Sequence, residues 1–386
     1  MRIGYSYWGF LGDYKEDHFG DTLSTPDGNA SYSWSIIHEA HQRGHEVYLM
    51  QQDRDWPAYA KHGTDNFASF SQAKRIDAYL RAHKTQGSMY KSQHEEREPR
   101  FIFPRLNVLV LEWRFPIPGR NTPEMRGKPN YQPDLERQTE ILWYYSRLGV
   151  PIIILDLDHK LTEQDEKFLS EIGSKVVVFE TSVEPLRRLL PRVRVEIPFV
   201  IQDLLQHTLQ AVDPNRKLVY VGSRYERDDV IDTWIKPLSV LWPQKIEFYG
   251  NWTTEYNFAE VQAKWPNVKF MDRITMKDFG KVYGTAVACP LIAKSSYLDT
   301  GFITARIWEA LLFGTLPLGL STHTGIRQYL PDELVADDPH DLASIVLSLS
   351  RMSLEARTEL HREVVEQIGF MDVSHFLDRI EETTKH

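Results

Sequence analysis

Two short stretches of this chain, Asn107–Glu112 (Asn-Val-Leu-Val-Leu-Glu) and Val150–Leu155 (Val-Pro-Ile-Ile-Ile-Leu), are almost unbroken aliphatic runs. A strand with one wet face alternates apolar and polar side chains, whereas a near-continuous apolar strand must be covered on both faces. Sheets of that kind are parallel, and parallel strands need a crossover of a dozen or more residues, usually a helix. The sequence between the two runs fits, because Asp134–Leu148 has helical periodicity and stops before Gly149.

The same alternation runs along the chain. Arg2–Tyr7 reads as a strand followed by the loop Gly9-Phe10-Leu11-Gly12, Ser31–Arg43 as a helix closed by Gly44, and Glu46–Met50 as a returning strand. Thr162–Ile172 (helix), Lys175–Phe179 and Val193–Ile197 continue the series. A second series begins near Asp213-Pro214-Asn215. Its strands are Lys217–Val221, Lys245–Tyr249, Val268–Met271, Ala286–Cys289 and Thr315–Leu320, and its helices Asp229–Leu241, Phe302–Phe313, Ser353–Ile368 and Val373–Thr383. A length of 386 residues suits two or three domains. The expected fold is therefore α/β, with two doubly wound, Rossmann-like domains facing each other across a cleft. The expected division is 1–212, with a terminal helix 369–386 packing back onto it, and 213–368.

Net charge is −9, from 45 Lys and Arg against 54 Asp and Glu, so a wholly basic nucleic-acid coat is excluded. The single cysteine, Cys289, forms no internal disulfide and reads as a small hydrophobe in a buried strand; no cluster has metal-ligand spacing. The start of the chain enters a strand without a signal-peptide core, and Val150–Leu155 is the longest aliphatic run, far below the ~20 residues that span a bilayer. The expectation is a soluble, cytoplasmic protein.

The strongest local motif is Gly301-Phe302-Ile303-Thr304-Ala305-Arg306-Ile307-Trp308-Glu309-Ala310-Leu311-Leu312-Phe313-Gly314-Thr315-Leu316-Pro317-Leu318-Gly319. A Gly-Phe turn opening a helix offers backbone N–H groups and the positive helix end to a diphosphate. Glu309, about two turns in, can accept the two vicinal hydroxyls of a ribose, or can be a solvated helix residue. In Val219-Tyr220-Val221-Gly222-Ser223-Arg224-Tyr225-Glu226-Arg227, at the end of a strand, Arg224 or Arg227 can neutralise a phosphate oxygen, or Arg224–Asp229 can be a surface charge network.

The Arg-x-x-Glu-Ala-Leu-x-x-Gly-x-x-Pro-Leu pattern resembles the nucleotide-sugar signature of GT-B glycosyltransferases, notably the retaining family-4-like group. That resemblance implies an N-terminal acceptor domain and a C-terminal donor domain, with the glutamate before Ala-Leu on the donor ribose. It also implies that Gly222, Arg224 and Arg227 embrace the diphosphate beside Gly301, Phe302, Ile303 and Thr304, with Gly12 approaching from the first domain. Asn251-Trp252 and Thr275–Lys277 are further lining candidates. The family's Glu-x7-Glu spacing is broken, because its first place is Gly301 here, so retaining and inverting outcomes stay open. The family typically needs no essential metal, and the co-substrate it implies is a nucleotide-diphosphate sugar, a UDP-sugar.

Carboxylates at strand ends, Glu112, Asp156 and Asp158 with His159 beside them, are candidates for the base that deprotonates an acceptor hydroxyl. Asp156 and Asp158 equally suit capping of the helix that begins near Thr162. Asp13, Asp17 and His18 are further loop candidates. The segment Lys84–Tyr131 holds nine Lys and Arg against five Asp and Glu, +4 in a chain of −9. There Arg114, Arg120, Arg126 and Lys128 interleave with Trp113, Phe115 and Tyr131, as suits a polyanion or a flipped base, or a solvated charged loop. Length, basic-aromatic insertions and the divergent donor motif are similar to phage DNA glucosyltransferases. That similarity implies transfer to a hydroxymethylated pyrimidine in double-stranded DNA. A polysaccharide, lipid-linked or small-molecule acceptor, a nucleotide-sugar epimerase of the same fold, and a non-catalytic UDP-sugar binder are the alternatives.

Overall fold

The structure is a computed structural model. It describes residues 1–6, 36, 39–40, 42–49, 105–128, 131, 134–173, 175–181, 190, 192–194, 217–253, 256–274 and 276–385. The Gly9–Gly12 loop with Gly12, the candidates Asp13, Asp17 and His18, Thr275, the 212/213 boundary and the 84–104 part of the basic segment lie outside these residues.

Six strands build the first sheet: β1 (Arg2–Ser6), β2 (Glu46–Leu49), β3 (Val108–Glu112), β4 (Ile152–Leu155), β5 (Val176–Glu180) and β6 (Arg192–Arg194). All pair in parallel in the order β2-β1-β3-β4-β5-β6. The aliphatic runs are central, and their side chains divide between two cores. Leu109, Leu111, Ile152 and Ile154 pack with Ile141, Leu142 and Tyr145 of the helix Asp134–Arg147 and with Leu169 of the helix Glu163–Ile172. Val108, Val110, Ile153 and Leu155 belong to the core that holds Ile3, Ile36 and Ala40. Coverage on both faces is what the runs demand.

The second sheet comprises β7 (Lys217–Val221), β8 (Ile246–Tyr249), β9 (Val268–Met271), β10 (Ala286–Pro290), β11 (Leu316–Leu320) and β12 (Val335–Ala336). Its order, β12-β11-β10-β7-β8-β9, is again wholly parallel. Strand order reverses beside β1 in the first sheet and between β10 and β7 in the second. Such reversals open a crevice at the carboxyl ends of the strands, where doubly wound folds bind ligands.

The last helix, Val373–Thr383, returns to the first sheet, with Phe376 edge-on to Phe179 at 5.7 Å. Arg43 fixes it by donating to Asp378 (2.6 Å), Glu381 (3.3 Å) and the Ser374 carbonyl (2.8 Å).

The expected pattern lacked the helices Phe258–Lys264 and Met276–Tyr283 and the strand β12, and three further local features differ from it. The helix expected over Phe302–Phe313 spans only Arg306–Leu312, because Gly301, at φ +67°, ends a preceding helix Ser295–Thr300 instead of opening the next. The helix after β7 starts as Asp228–Val230, widens into a π-helical turn at Ile231–Ile235 and resumes at Lys236–Leu241. Pro237 accounts for the widening, since it has no N–H for the regular ladder. An additional helix, Pro339–Arg351, is capped by Asp338, whose carboxylate accepts the His340 and Asp341 N–H groups. That Asp-Pro start signal was legible in the chain.

Candidate active site

The second sheet's crevice is built around the end of β7. Tyr220 is fully buried, and the Arg306 guanidinium lies over its ring, 4.9 Å from the centroid. Arg306 Nε donates to the Val221 carbonyl at 2.7 Å and Nη1 to Thr304 Oγ1 at 3.1 Å. Burial works against its charge, yet Tyr220 and the Glu309 carboxylate hold its pKa above the ordinary guanidinium value. Gly222 is required by this packing, because a Cβ there would collide with the Arg306 guanidinium and lie 2.6 Å from the Tyr220 hydroxyl.

Arg227 is the second buried cation, with Nη1 donating to the carbonyls of Tyr225 (2.8 Å) and Ser223 (3.2 Å). Burial pushes its pKa down, Tyr220 opposes that, and Arg306 adds to the depression. Arg227 Nε and Tyr220 Oη are both buried without a hydrogen-bond partner among the described residues. Buried donors in that condition cost free energy on the order of 1–3 kcal/mol each, more for a charged group. A guanidinium with an unmet donor beside an unpartnered tyrosine hydroxyl and a second guanidinium is an arrangement that an oxyanion suits.

Lys294, just beyond β10, is the third cation, its ammonium 4.3 Å from the Tyr297 ring centroid and 3.7 Å from Glu226. Burial lowers its pKa, with Lys160 and Arg227 contributing. A groove of about 350 Å³ beside it is lined by Glu226, Asp228, Asp229, Lys294, Ser295 and Ser296.

Arg224 corrects the expectation that it meets a phosphate. Its Nε donates to Asp228 Oδ1 at 2.7 Å, its Nη2 pairs with the other Asp228 oxygen, and the guanidinium stacks by Tyr256 and Trp265. The hydrogen bond to Asp228 raises its pKa, and Lys264 joins the same carboxylate at 2.9 Å. The internal-network alternative describes Arg224, while Arg227 turns inward toward Tyr220. Trp252 is also structural, fully buried with Nε1 donating to the Gly222 carbonyl at 2.8 Å.

Glu309 sits in the first turn of the helix Arg306–Leu312, not two turns in, and is 8% exposed. Its charge bears on Arg306, Tyr283 and Cys289. Cys289 is fully buried and its thiol is pushed up to about 12 by burial, as suits a small hydrophobe.

Across the cleft, the three candidate carboxylates of the first sheet have different settings. Glu112 accepts the Tyr5 hydroxyl at 2.6 Å, bridging β1 and β3 at the strand reversal. Asp156, 1% exposed, accepts the N–H groups of Lys160 (2.7 Å) and Leu161 (3.0 Å). It thus closes the turn before the helix Glu163–Ile172, whose own cap is Thr162 with Asp165. Asp158 is half-buried, and its carbonyl accepts the Tyr297 hydroxyl of the second half at 3.1 Å. Ile303 N–H to the Thr181 carbonyl (3.3 Å) and the stacked rings of His159 and Phe302 (6.1 Å) also join the halves.

Trp113 and Arg114 correct the expectation that they meet an acceptor. Trp113 belongs to the core with Leu109 and Leu111, and Arg114 is 1% exposed, its backbone held on both sides by the Gln138 amide. The aliphatic run continues inward past Glu112, which places both residues behind the surface. Arg126 and Lys128 are exposed and Arg120 is half-buried.

Sequence reasoning left out Arg306, Tyr220, Lys294 and Tyr297. Arg306 stood within the recognised Arg-x-x-Glu pattern and Tyr220 within the strand-end motif that precedes Gly222, but neither was singled out; Tyr297 carried no motif. Among the described residues no group of three His, Cys, Asp or Glu side chains is placed to hold a metal ion, and no helix is long and apolar enough to cross a membrane.

No family model matches the chain, and no curated protein is similar to it in sequence. Solved structures do match. T4 phage BGT in complex with UDP-glucose superposes with a TM-score of 0.56 at 12% identity, covering 100% of both chains. HepE of Anabaena, in complex with UDP and glucose, gives 0.52 at 13%, covering 100% of this chain and 99% of that one. Sucrose-phosphate synthase of Thermosynechococcus elongatus gives 0.54 at 9%, covering 99% and 98%. All three have the GT-B architecture, and the chain shares that fold.

Proposed function

We propose that this GT-B chain is a glycosyltransferase that takes a sugar from a nucleotide-diphosphate sugar, a UDP-sugar, and passes it to an acceptor hydroxyl. One observation carries the reading: Arg227 and Tyr220 converge at the mouth of β7, each with a buried polar atom that has no hydrogen-bond partner, and the Arg306 guanidinium and Glu309 stand beside them. The cations suit a diphosphate whose charge grows as the glycosidic bond breaks, so they stabilise the transition state more than the bound donor. Glu309 suits the ribose hydroxyls. In this reading 213–368 hold the donor, with Gly222, Arg227, Gly301, Phe302, Ile303, Thr304 and Glu309 around it. Residues 1–212 and the terminal helix 369–386 hold the acceptor. The UDP and UDP-glucose complexes of the similar structures support the choice of nucleotide.

For the acceptor we favour a hydroxymethylated pyrimidine in double-stranded DNA. The support is that T4 phage β-glucosyltransferase, described as a DNA-modifying enzyme, is matched over the full length of both chains. Burial of Trp113 and Arg114 leaves Arg120, Arg126 and Lys128 to meet phosphate, and it keeps a carbohydrate acceptor as the second reading.

The test is thermal unfolding with UDP, UMP and UDP-glucose, with and without Mn²⁺, the ion present with UDP in one T4 phage BGT structure. A ligand at about 100 Kd stabilises by ~2.7 kcal/mol. Incubation with UDP-glucose and a duplex carrying 5-hydroxymethylcytosine, beside a plain duplex, then reads the acceptor by mass. Equal binding of UMP and UDP would remove the diphosphate site. Tight UDP binding without UDP release from UDP-glucose would favour a binder, and free sugar isomers an epimerase.

A further inference from the structure

The strand order of the second sheet reverses between β10 and β7, and the groove of about 350 Å³ lies on that reversal. Glu226, Asp228 and Asp229 line it from the segment after β7, and Lys294, Ser295 and Ser296 from the segment after β10. A doubly wound sheet takes its ligands at such a place, and the volume falls within the ~300–1,000 Å³ of small-molecule pockets.

Burial sets Lys294 apart from the other lining residues. Its side chain is 9% exposed, with the Tyr297 ring at 4.3 Å and the Tyr225 ring at 5.6 Å from the ammonium. Among the described residues that ammonium makes no hydrogen bond. Its ion-pair partner, Glu226, stands off at 3.7 Å on a side chain that is 61% exposed. Three N–H donors held that far from water and left unmet cost free energy until a ligand accepts them. Lys160 and Asp158 of the first half both bear on the charge of Lys294, so the ammonium lies where the halves face each other.

The charges of the groove decide which ligand suits it. Asp228 is taken up by Arg224 and Lys264. Glu226 and Asp229 then stand against Lys294, two carboxylates to one ammonium, a balance that disfavours a further anion. Carboxylates only accept hydrogen bonds, an ammonium only donates them, and serine hydroxyls do both. A ring of hydroxyls, each of them donor and acceptor, answers all three. The Tyr225 ring, 54% exposed, adds an apolar face at the same place. Glu226 directly precedes Arg227, so the groove adjoins the cation read as a diphosphate ligand.

We propose that this groove seats the sugar of the donor and selects an uncharged hexose over a hexuronic acid, with Lys294, Glu226 and Asp229 as the specificity-determining residues; this rests on the glycosyl-transfer reading above. The Lys294 ammonium donates to hydroxyl oxygens of the hexose, and Glu226 and Asp229 accept from its hydroxyl groups. A hexuronic acid brings a third carboxylate to the same space, and that like charge is the element that rejects it.

The experiment is calorimetric titration with UDP, UDP-glucose and UDP-glucuronate of the unsubstituted protein and two variants. Lys294→Met keeps an unbranched stem and removes the ammonium. Glu226→Gln combined with Asp229→Asn removes both carboxylates from exposed positions, and so tests the same groove without touching a buried side chain. The unsubstituted protein is expected to bind UDP-glucose about tenfold or more tightly than UDP-glucuronate. Lys294→Met is expected to weaken UDP-glucose by about 10- to 150-fold, the range for a hydrogen bond to a charged group, and UDP by less than about threefold. The double amide variant is expected to bring the two sugar nucleotides within about threefold of each other. Equal losses of UDP and UDP-glucose in Lys294→Met overturn the sugar assignment and give the ammonium to the diphosphate. Equal affinity of the unsubstituted protein for the two sugar nucleotides, or an unaltered preference in the amide variant, overturns selection by charge. Absence of UDP binding by the unsubstituted protein overturns the glycosyl-transfer reading itself.

Discussion

Gly222 and Arg306 are fitted to each other: the guanidinium occupies the space where any residue but glycine at 222 would carry its Cβ. The strand that ends at Val221 and the helix that starts at Arg306 are 85 residues apart, and Arg306 Nε closes the gap on the Val221 carbonyl. Gly222→Ala is therefore expected to push the guanidinium off that carbonyl. The cost in stability is about 1–3 kcal/mol, the range for overpacking a tight site. UDP affinity should fall with it. Urea unfolding and UDP titration of the same preparation check both, and an unchanged Kd for UDP would dissociate Gly222 from the anion site.

Arg306→Ala and Arg227→Ala should each weaken UDP by about 10- to 150-fold, the equivalent of ~1.5–3 kcal/mol for a charged hydrogen bond, with little effect on uridine. Arg224→Ala should behave oppositely, lowering stability through its Asp228 partner while UDP affinity holds within about threefold. Calorimetric titration with UDP and uridine separates the two groups. A large loss of UDP affinity in Arg224→Ala alone would restore it to the phosphate.

This contrast shows what was legible in the chain. The parallel sheets could be read from Asn107–Glu112 and Val150–Leu155, because an aliphatic run has one way to be buried on both faces. The Arg-x-x-Glu pattern named the helix whose Arg306 packs against Tyr220 and Val221. What the pattern could not carry was which of Arg224 and Arg227 is taken up by an internal ion pair. Spacing makes them equivalent, and the choice was decided by Asp228, Tyr256 and Trp265, contacts set by tertiary packing. The burial of Trp113 and Arg114 was hidden for a related reason: a strand's hydrophobic signal ends at Glu112, but the chain stays inside for two more residues.

Glu309 gives a prediction that depends on the sugar of the nucleotide. If its carboxylate accepts the ribose hydroxyls, the protein binds UDP more tightly than 2′-deoxy-UDP, and Glu309→Gln erases most of that difference. The expected preference is about tenfold, one hydrogen bond to a charged acceptor. Competition binding with both nucleotides reads it. A variant that keeps the preference would place the ribose elsewhere.

His323, 3% exposed, gives a pH dependence whose direction follows from its burial. Burial pushes its pKa from 6.5 down to about 4, opposed in part by the backbone of Phe302. Below pH 6.5 the unfolded chain takes a proton that the native site refuses. Stability from this group is thus present above the unfolded value and is lost as pH falls through that window toward 4, by about 3 kcal/mol in all. His323→Phe should flatten the fall in unfolding free energy between pH 6.5 and 4. An equally steep fall in that variant would assign the acid sensitivity to other groups.

The acceptor prediction turns on charge distribution. A chain of net charge −9 that approaches duplex DNA must gather positive potential on one face, or repulsion opposes encounter with the phosphates. Lys84–Tyr131 is the segment with surplus, and within its described part Arg126 and Lys128 are exposed and Arg120 half-buried. These three follow β3 in the chain, and on the proposed reading they are the cations that would meet the phosphates beside an extruded base. Arg114 is excluded by its burial, and replacing it would test the fold instead of the contact. Changing Arg120, Arg126 and Lys128 together to Ser is expected to make the slope of log K against log [salt] shallower by about 2.7, at ~0.9 per lost phosphate contact. UDP-glucose binding should be untouched, because Arg227, Arg306 and Lys294, the cations proposed for the donor, lie in the second half of the chain. Fluorescence anisotropy of a labelled duplex over a salt series measures the slope. An unaltered slope, or no duplex binding by the unsubstituted protein at low salt, would shift the acceptor to a carbohydrate.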